Sequence, residues 1–128
     1  MFTFRKYERL RNKKQIQNLF AEGISFNNYP LRVVWTKAEF ISRYPALAGF
    51  SVLHRNFKNA VSRNLLKRRM REAYRINKHI LYNYLNEKKI RITFLIIYTG
   101  KEIYDYHQIE LKINSVLQRL ISDCEKAN

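Results

Sequence analysis

Residues 62–75 read SRNLLKRRMREAYR, six Lys or Arg beside a single acid, Glu72, in a stretch otherwise made of good helix formers. The run predicts a long central helix, capped by Asn59 and reaching about Tyr84. At 100° per residue, Asn64, Lys67, Arg68, Arg71, Arg75 and Lys78 fall within an arc of about 140° from Arg63. Leu65, Leu66, Met70, Ala73, Ile76 and Ile80 occupy the other side, interrupted by Arg69 and Asn77. Such a helix lays its apolar stripe on a sheet and turns the basic stripe to water. The like-charged pairs 63/67, 67/71 and 71/75 each cost a helix about 0.2–0.5 kcal/mol. A solvated face normally intersperses acids, so this repeated cost predicts an external polyanion. Arginine's planar fork suits phosphate.

Working outward, LRVVWTK (31–37) alternates as a half-buried strand, with Leu31, Val33 and Trp35 on one face. ALAGFSVLH (46–54) reads as a second strand, open to being split in two. IRITFLIIY (90–98) is apolar on both faces, as expected of a covered strand. A short helix is expected from Lys13 to Ala21, ended by Gly23. A last helix opens on a capping box, Asp105 with Gln108, and aligns Ile109, Ile113, Val116, Leu117, Leu120 and Ile121. Residues 1–12 read as an extended basic arm. The elements run α-β-β-α-β-α, an α/β (α+β) sandwich in a single domain spanning 1–128.

Net charge is +15 over 128 residues. Residues 1–14 carry six basic residues and one acid, and residues 54–79 nine and one, so the excess is local. That bears on partners and points to nucleic acid. A helix-turn-helix reader is disfavoured, because a strand and a basic loop, HRNFKN, precede the basic helix. The single cysteine, Cys124, fits a reducing compartment and a buried site on the last helix. No segment has the apolar length of a signal peptide or membrane span, so a cytoplasmic location without membrane attachment is expected. His54, His79 and His107 lack metal-ligand spacing, and six of the ten acids lie beyond residue 86 without forming a pair or metal motif. No catalytic or metal-binding residue is therefore assigned. Phe2, Phe4, Tyr7, Phe20 and Trp35 are candidates to stack on unpaired bases, with core packing the stronger reading for Trp35.

AVSRNLLKRRMREAYR resembles the signature of the bacterial ribonuclease P protein subunit, with its Ala-Val, its Arg-Asn pair and Lys-Arg and Arg at fixed helical offsets. The GFSV strand, the loop with Phe57 and the opening RLRNKKQIQNLFAEG fit the same pattern. The resemblance implies α-β-β-β-α-β-α order with an unusual left-handed βαβ crossover, against the right-handed default. It implies a partner of a catalytic RNA that removes the 5′ leader of precursor tRNA, with Mg2+ acting on the RNA. Position by position, it implies that Arg63, Asn64, Lys67, Arg68 and Arg71 contact that RNA, with Arg75 on the same face. Phe20, Ile16 and Ser51 would line a cleft for the leader, and Arg55 its rim. Ile16 stands where many members carry an aromatic residue, His54 where lysine is common and Lys58 where glycine is frequent. The rival reading is a structural or ribosome-associated RNA-binding protein with no role in cleavage.

Overall fold

The β-branched and aromatic residues of the two most apolar segments form the centre of the sheet. The computed structural model describes residues 4–40 and 42–127; the Phe2 reading lies outside them. β2 (Leu31–Lys37) and β4 (Ile92–Tyr98) pair antiparallel. β1 (Ile24–Asn28) adds antiparallel to β2, and β3 (Ala46–Val52) adds parallel to β4, giving the order β1-β2-β4-β3. The additional strand is therefore Ile24–Asn28 and not a division of 46–54. ISFNN shows why it escapes a pattern search: Phe26 is its only buried residue, and its extension depends on pairing with β2.

Parallel neighbours need a crossover, here α2 (Ala60–Asn77) followed by α3 (His79–Lys88). With α4 (Tyr106–Ala127) they cover one face of the sheet. Leu66, Met70, Ala73 and Tyr74 of α2, Leu81 and Leu85 of α3 and the apolar stripe of α4 meet Trp35, Phe94, Ile96 and Tyr98 there. α1 (Lys13–Glu22) crosses the other face, where Leu19 packs with Leu10, Val34 and Leu47. Gly23 permits that approach: a Cβ there would lie 2.3 Å from the Leu19 carbonyl oxygen and 2.7 Å from Val34 Cγ1.

The caps agree with the sequence. Asn59 Oδ1 accepts from Val61 N at 2.7 Å, and Asp105 Oδ1 from Gln108 N at 2.8 Å. The central helix does not run unbroken to Tyr84. It turns at Lys78, where Asn77 Nδ2 donates back to the Ala73 carbonyl at 2.8 Å and competes with the regular ladder.

Lys78 itself corrects the helical wheel. It is buried, and its ammonium pairs with the fully buried Glu8. Tyr82 Oη donates to the same carboxylate at 2.7 Å. Burial, with Tyr74 and Glu8 adjacent, raises the Tyr82 hydroxyl far above its ordinary pKa, so it stays a donor. Glu8 comes from the N-terminal segment, which is not an extended arm where described. Lys6–Glu8 form a 3-10 turn, Phe4 packs edge-on against Phe50 and Tyr74, and Leu10 N donates to the Ala48 carbonyl at 2.9 Å.

Candidate nucleic-acid interface

The basic stripe of α2 divides into a structural part and an open part. Arg63 is half-buried, and its Nη1 donates to the carbonyls of Phe57 at 2.7 Å and Lys58 at 2.8 Å. It ties the β3–α2 loop to the helix and does not stand free in water. Arg75 grips Glu72 through Nη2 at 2.5 Å and Nε at 3.1 Å. That contact holds the Glu72 carboxyl below its ordinary range and raises the arginine. Arg69 lies off the stripe and donates to the Tyr104 carbonyl at 2.6 Å, anchoring the β4–α4 loop.

Between the two occupied ends, Asn64, Arg68 and Arg71 are exposed and Lys67 is half-exposed. None of the four has a salt bridge or side-chain hydrogen bond among the described residues. With Arg63 and Arg75 drawn away, the unrelieved like-charge pair is 67/71. Three cations on adjoining turns thus form the part of α2 left able to pair with an external anion.

The other predicted residues lie across the sheet. Main-chain alternation directs Leu31, Val33, Phe94 and Ile96 into the α2–α4 core and the residues between them to the α1 side. One cross-strand row on that side runs Asn27–Arg32–Ile97–Ser51. It continues into a cavity of about 530 Å³ whose lining includes Arg32, Arg55, Asn56 and Lys101. Asn56 is fixed there by Nδ2 donation to the Thr99 carbonyl at 3.0 Å. Arg55 and Ser51 are thereby brought together on the α1 side. Phe20 remains 57% exposed, which suits stacking, whereas Ile16 is partly buried against Leu19 and its neighbours. Arg32 and Lys101 were not singled out from the sequence. Arg32 could have been, as the charged residue set among the apolar ones of residues 31–35.

Trp35 is buried in the core and Phe4 sits at its edge; Tyr7 is 66% exposed. Cys124 is buried, and burial lifts its thiol to about 11. Among the described residues no group of three His, Cys, Asp or Glu could hold a metal ion, and no helix is long and apolar enough to cross a membrane.

A sheet with a basic helix packed on one face and a short helix crossing the other is shared with proteins of known kind. The model of the family described as Ribonuclease P matches residues 4–121. The chain belongs to the ribonuclease P family. A ribonuclease P protein component of Porphyromonas gingivalis is 38% identical over 120 residues, covering 93% of this chain and 87% of that one. One from Petrotoga mobilis is 33% identical, with coverages of 92% and 95%. The RNase P protein of Thermotoga maritima superposes with a TM-score of 0.69 at 26% identity, covering 88% of this chain and 96% of that structure. The Staphylococcus aureus RNase P protein gives 0.71 at 22% identity, with coverages of 88% and 94%, a likeness of fold. The α-β-β-β-α-β-α order that the resemblance implied is the one observed, with its central helix divided in two.

Proposed function

We propose that this chain is the protein subunit of ribonuclease P. It binds the catalytic RNA through the middle of α2 and holds the 5′ leader of precursor tRNA on the α1 side of the sheet, in the cytoplasm. The observation that carries the reading is the trio Lys67, Arg68 and Arg71, in no ion pair among the described residues and set within a family match over almost the whole chain. Each phosphate neutralised releases counterions, so assembly should weaken with salt by about 0.7–0.9 units of log–log slope per contact. On the other face, Phe20 offers a ring for an unpaired base, and Ser51 and Arg55 offer polar and cationic contacts to the strand. Base stacking of this kind contributes about 1–3 kcal/mol and tolerates many sequences, as a leader requires.

The hydrolysis itself is assigned to the RNA subunit and Mg2+. The protein's part is positional: it neutralises phosphate charge and orients the strand so that the scissile bond meets a preformed site. The deciding experiment adds the protein to precursor tRNA with Mg2+, with and without the catalytic RNA. Cleavage stimulated only when both are present is the expected result. Cleavage by protein alone would indicate a self-sufficient nuclease, and no stimulation would leave a structural RNA binder.

A further inference from the structure

Of the N-terminal basic residues, Lys6, Arg9, Arg11 and Lys14 line cavities on the α1 side of the sheet, away from the open cations of α2. Along the α1 side of β4, Leu95 packs beneath α1, Ile97 lies in the Ser51 row, and Thr93 lies on the far flank. That far flank is a groove of about 1260 Å³. Its α1 wall includes Lys14, Gln15 and Asn18, which the helical period sets away from Phe20. Its outer wall includes Lys37, Lys89 and Arg91, and Glu39 is the single acid in its lining. An adjoining cavity shares Asn12 and Gln15 and continues the cationic surface through Lys6, Arg9 and Arg11 around the start of α1.

Two details mark this as a built surface. Arg91 is held in place by donation from Nη1 to the carbonyls of Ser42 at 2.5 Å and Tyr44 at 2.9 Å, with its guanidinium over the Phe40 ring. Lys89, just after α3, takes the left-handed conformation at φ 57°, where glycine costs less. A lysine in that place sets an exposed cation on the groove rim against the local backbone preference.

We propose that this groove is a second RNA track, taking the phosphate backbone of the 5′-distal part of the leader after it leaves the Phe20–Ser51 side of α1. The inference rests on the leader reading above. The leader is favoured over the catalytic RNA because the groove and the predicted cleft flank one helix on one sheet face, while the open cations of α2 lie on the other. The carboxamides of Gln15, Gln17 and Asn18 add hydrogen-bonding capacity without demanding a fixed sequence.

The test uses holoenzyme reconstituted with the catalytic RNA and precursor tRNAs carrying leaders of about 4 and about 16 nucleotides, the range one binding groove spans. Wild type is expected to bind the long-leader substrate more tightly. The double variant Lys14→Ala, Lys89→Ala should lose that advantage, with the salt slope for the long leader falling by about 1.4 units and short-leader affinity unchanged. Lys89→Gly alone should lose part of the advantage while holding or raising the unfolding temperature, which separates a lost contact from lost folding. The proposal is overturned if wild type gains nothing from leader extension, or if the variants keep the gain. It is equally overturned if the variants weaken affinity for the catalytic RNA alone and leave the leader-length effect intact. Phe20→Ala is the separate control: unchanged short-leader binding there removes the cleft reading, and this inference with it.

Discussion

Lys67 and Lys78 belong to the same basic arc of one helical run, yet the fold treats them oppositely. Lys67 stands with Arg68 and Arg71 on a face where, among the described residues, no carboxylate pairs with any of the three, while Lys78 is buried against Glu8, Tyr82 and the ring of Phe4. The difference lies in what arrives from elsewhere in the chain. The N-terminal segment brings an acid to the α2–α3 turn and nothing to the middle of α2. A buried pair of this kind holds two segments in one arrangement, whereas an unpaired exposed set is available to a partner.

The strongest way to break the contrast is at its buried end. Glu8→Ala should remove the carboxylate facing the buried Lys78 ammonium and cost about 3–5 kcal/mol in denaturant unfolding, and Glu8→Leu with Lys78→Met should recover most of it. If the single variant unfolds like wild type, the pair is no clamp. At the open end, replacing Lys67, Arg68 and Arg71 together by Ala should flatten the salt dependence of RNA assembly by about two to three units, and Arg68→Ala alone by about one. Stability should move by no more than about 0.5 kcal/mol. An unchanged slope would remove the phosphate contacts.

Arg63→Ala tests the boundary between the two kinds of charge. Because its guanidinium serves the Phe57 and Lys58 carbonyls, it should destabilise by about 1–2 kcal/mol while changing the salt slope less than Arg68→Ala does. Equal slope changes would show that Arg63 faces RNA after all. The smallest effect is expected at Glu72→Gln, which takes the carboxylate charge away from Arg75: the RNA salt slope at neutral pH should rise by less than the roughly 0.7–0.9 units of a full phosphate contact. The Glu72 carboxyl has a lowered pKa in the folded state. Its pairing is therefore fully present above the ordinary carboxylate range and lost as pH falls through the lowered value. Acidification should accordingly bring wild type toward the variant, and a pH-independent difference would contradict the pairing.

Much of the architecture was legible because it rests on local causes. β2 occupies the segment whose alternation announced it, Asn59 and the Asp105–Gln108 box cap the helices they were expected to cap, and α4 buries its apolar stripe. What escaped depends on remote partners. β1 is a strand because β2 lies beside it, and the central helix turns where an Asn side chain competes for a carbonyl and a lysine reaches an acid seventy residues away in the chain. The site divides along the same line. Lys67, Arg68 and Arg71 follow from periodicity, but the withdrawal of Arg63 and Arg75 and the gathering of Arg32 with Arg55 and Lys101 do not.

By itself the amino-acid order determined the capped start of the basic helix, the C-terminal helix, the two central strands, the excess of positive charge and the family signature. Each of these reflects propensity, spacing or identity within a short stretch. Only the tertiary structure decided which cations remain available to a partner and which are spent within the chain. A charge is neutralised by whatever group folding places within a few ångströms of it, and that neighbour is chosen by the packing of distant segments.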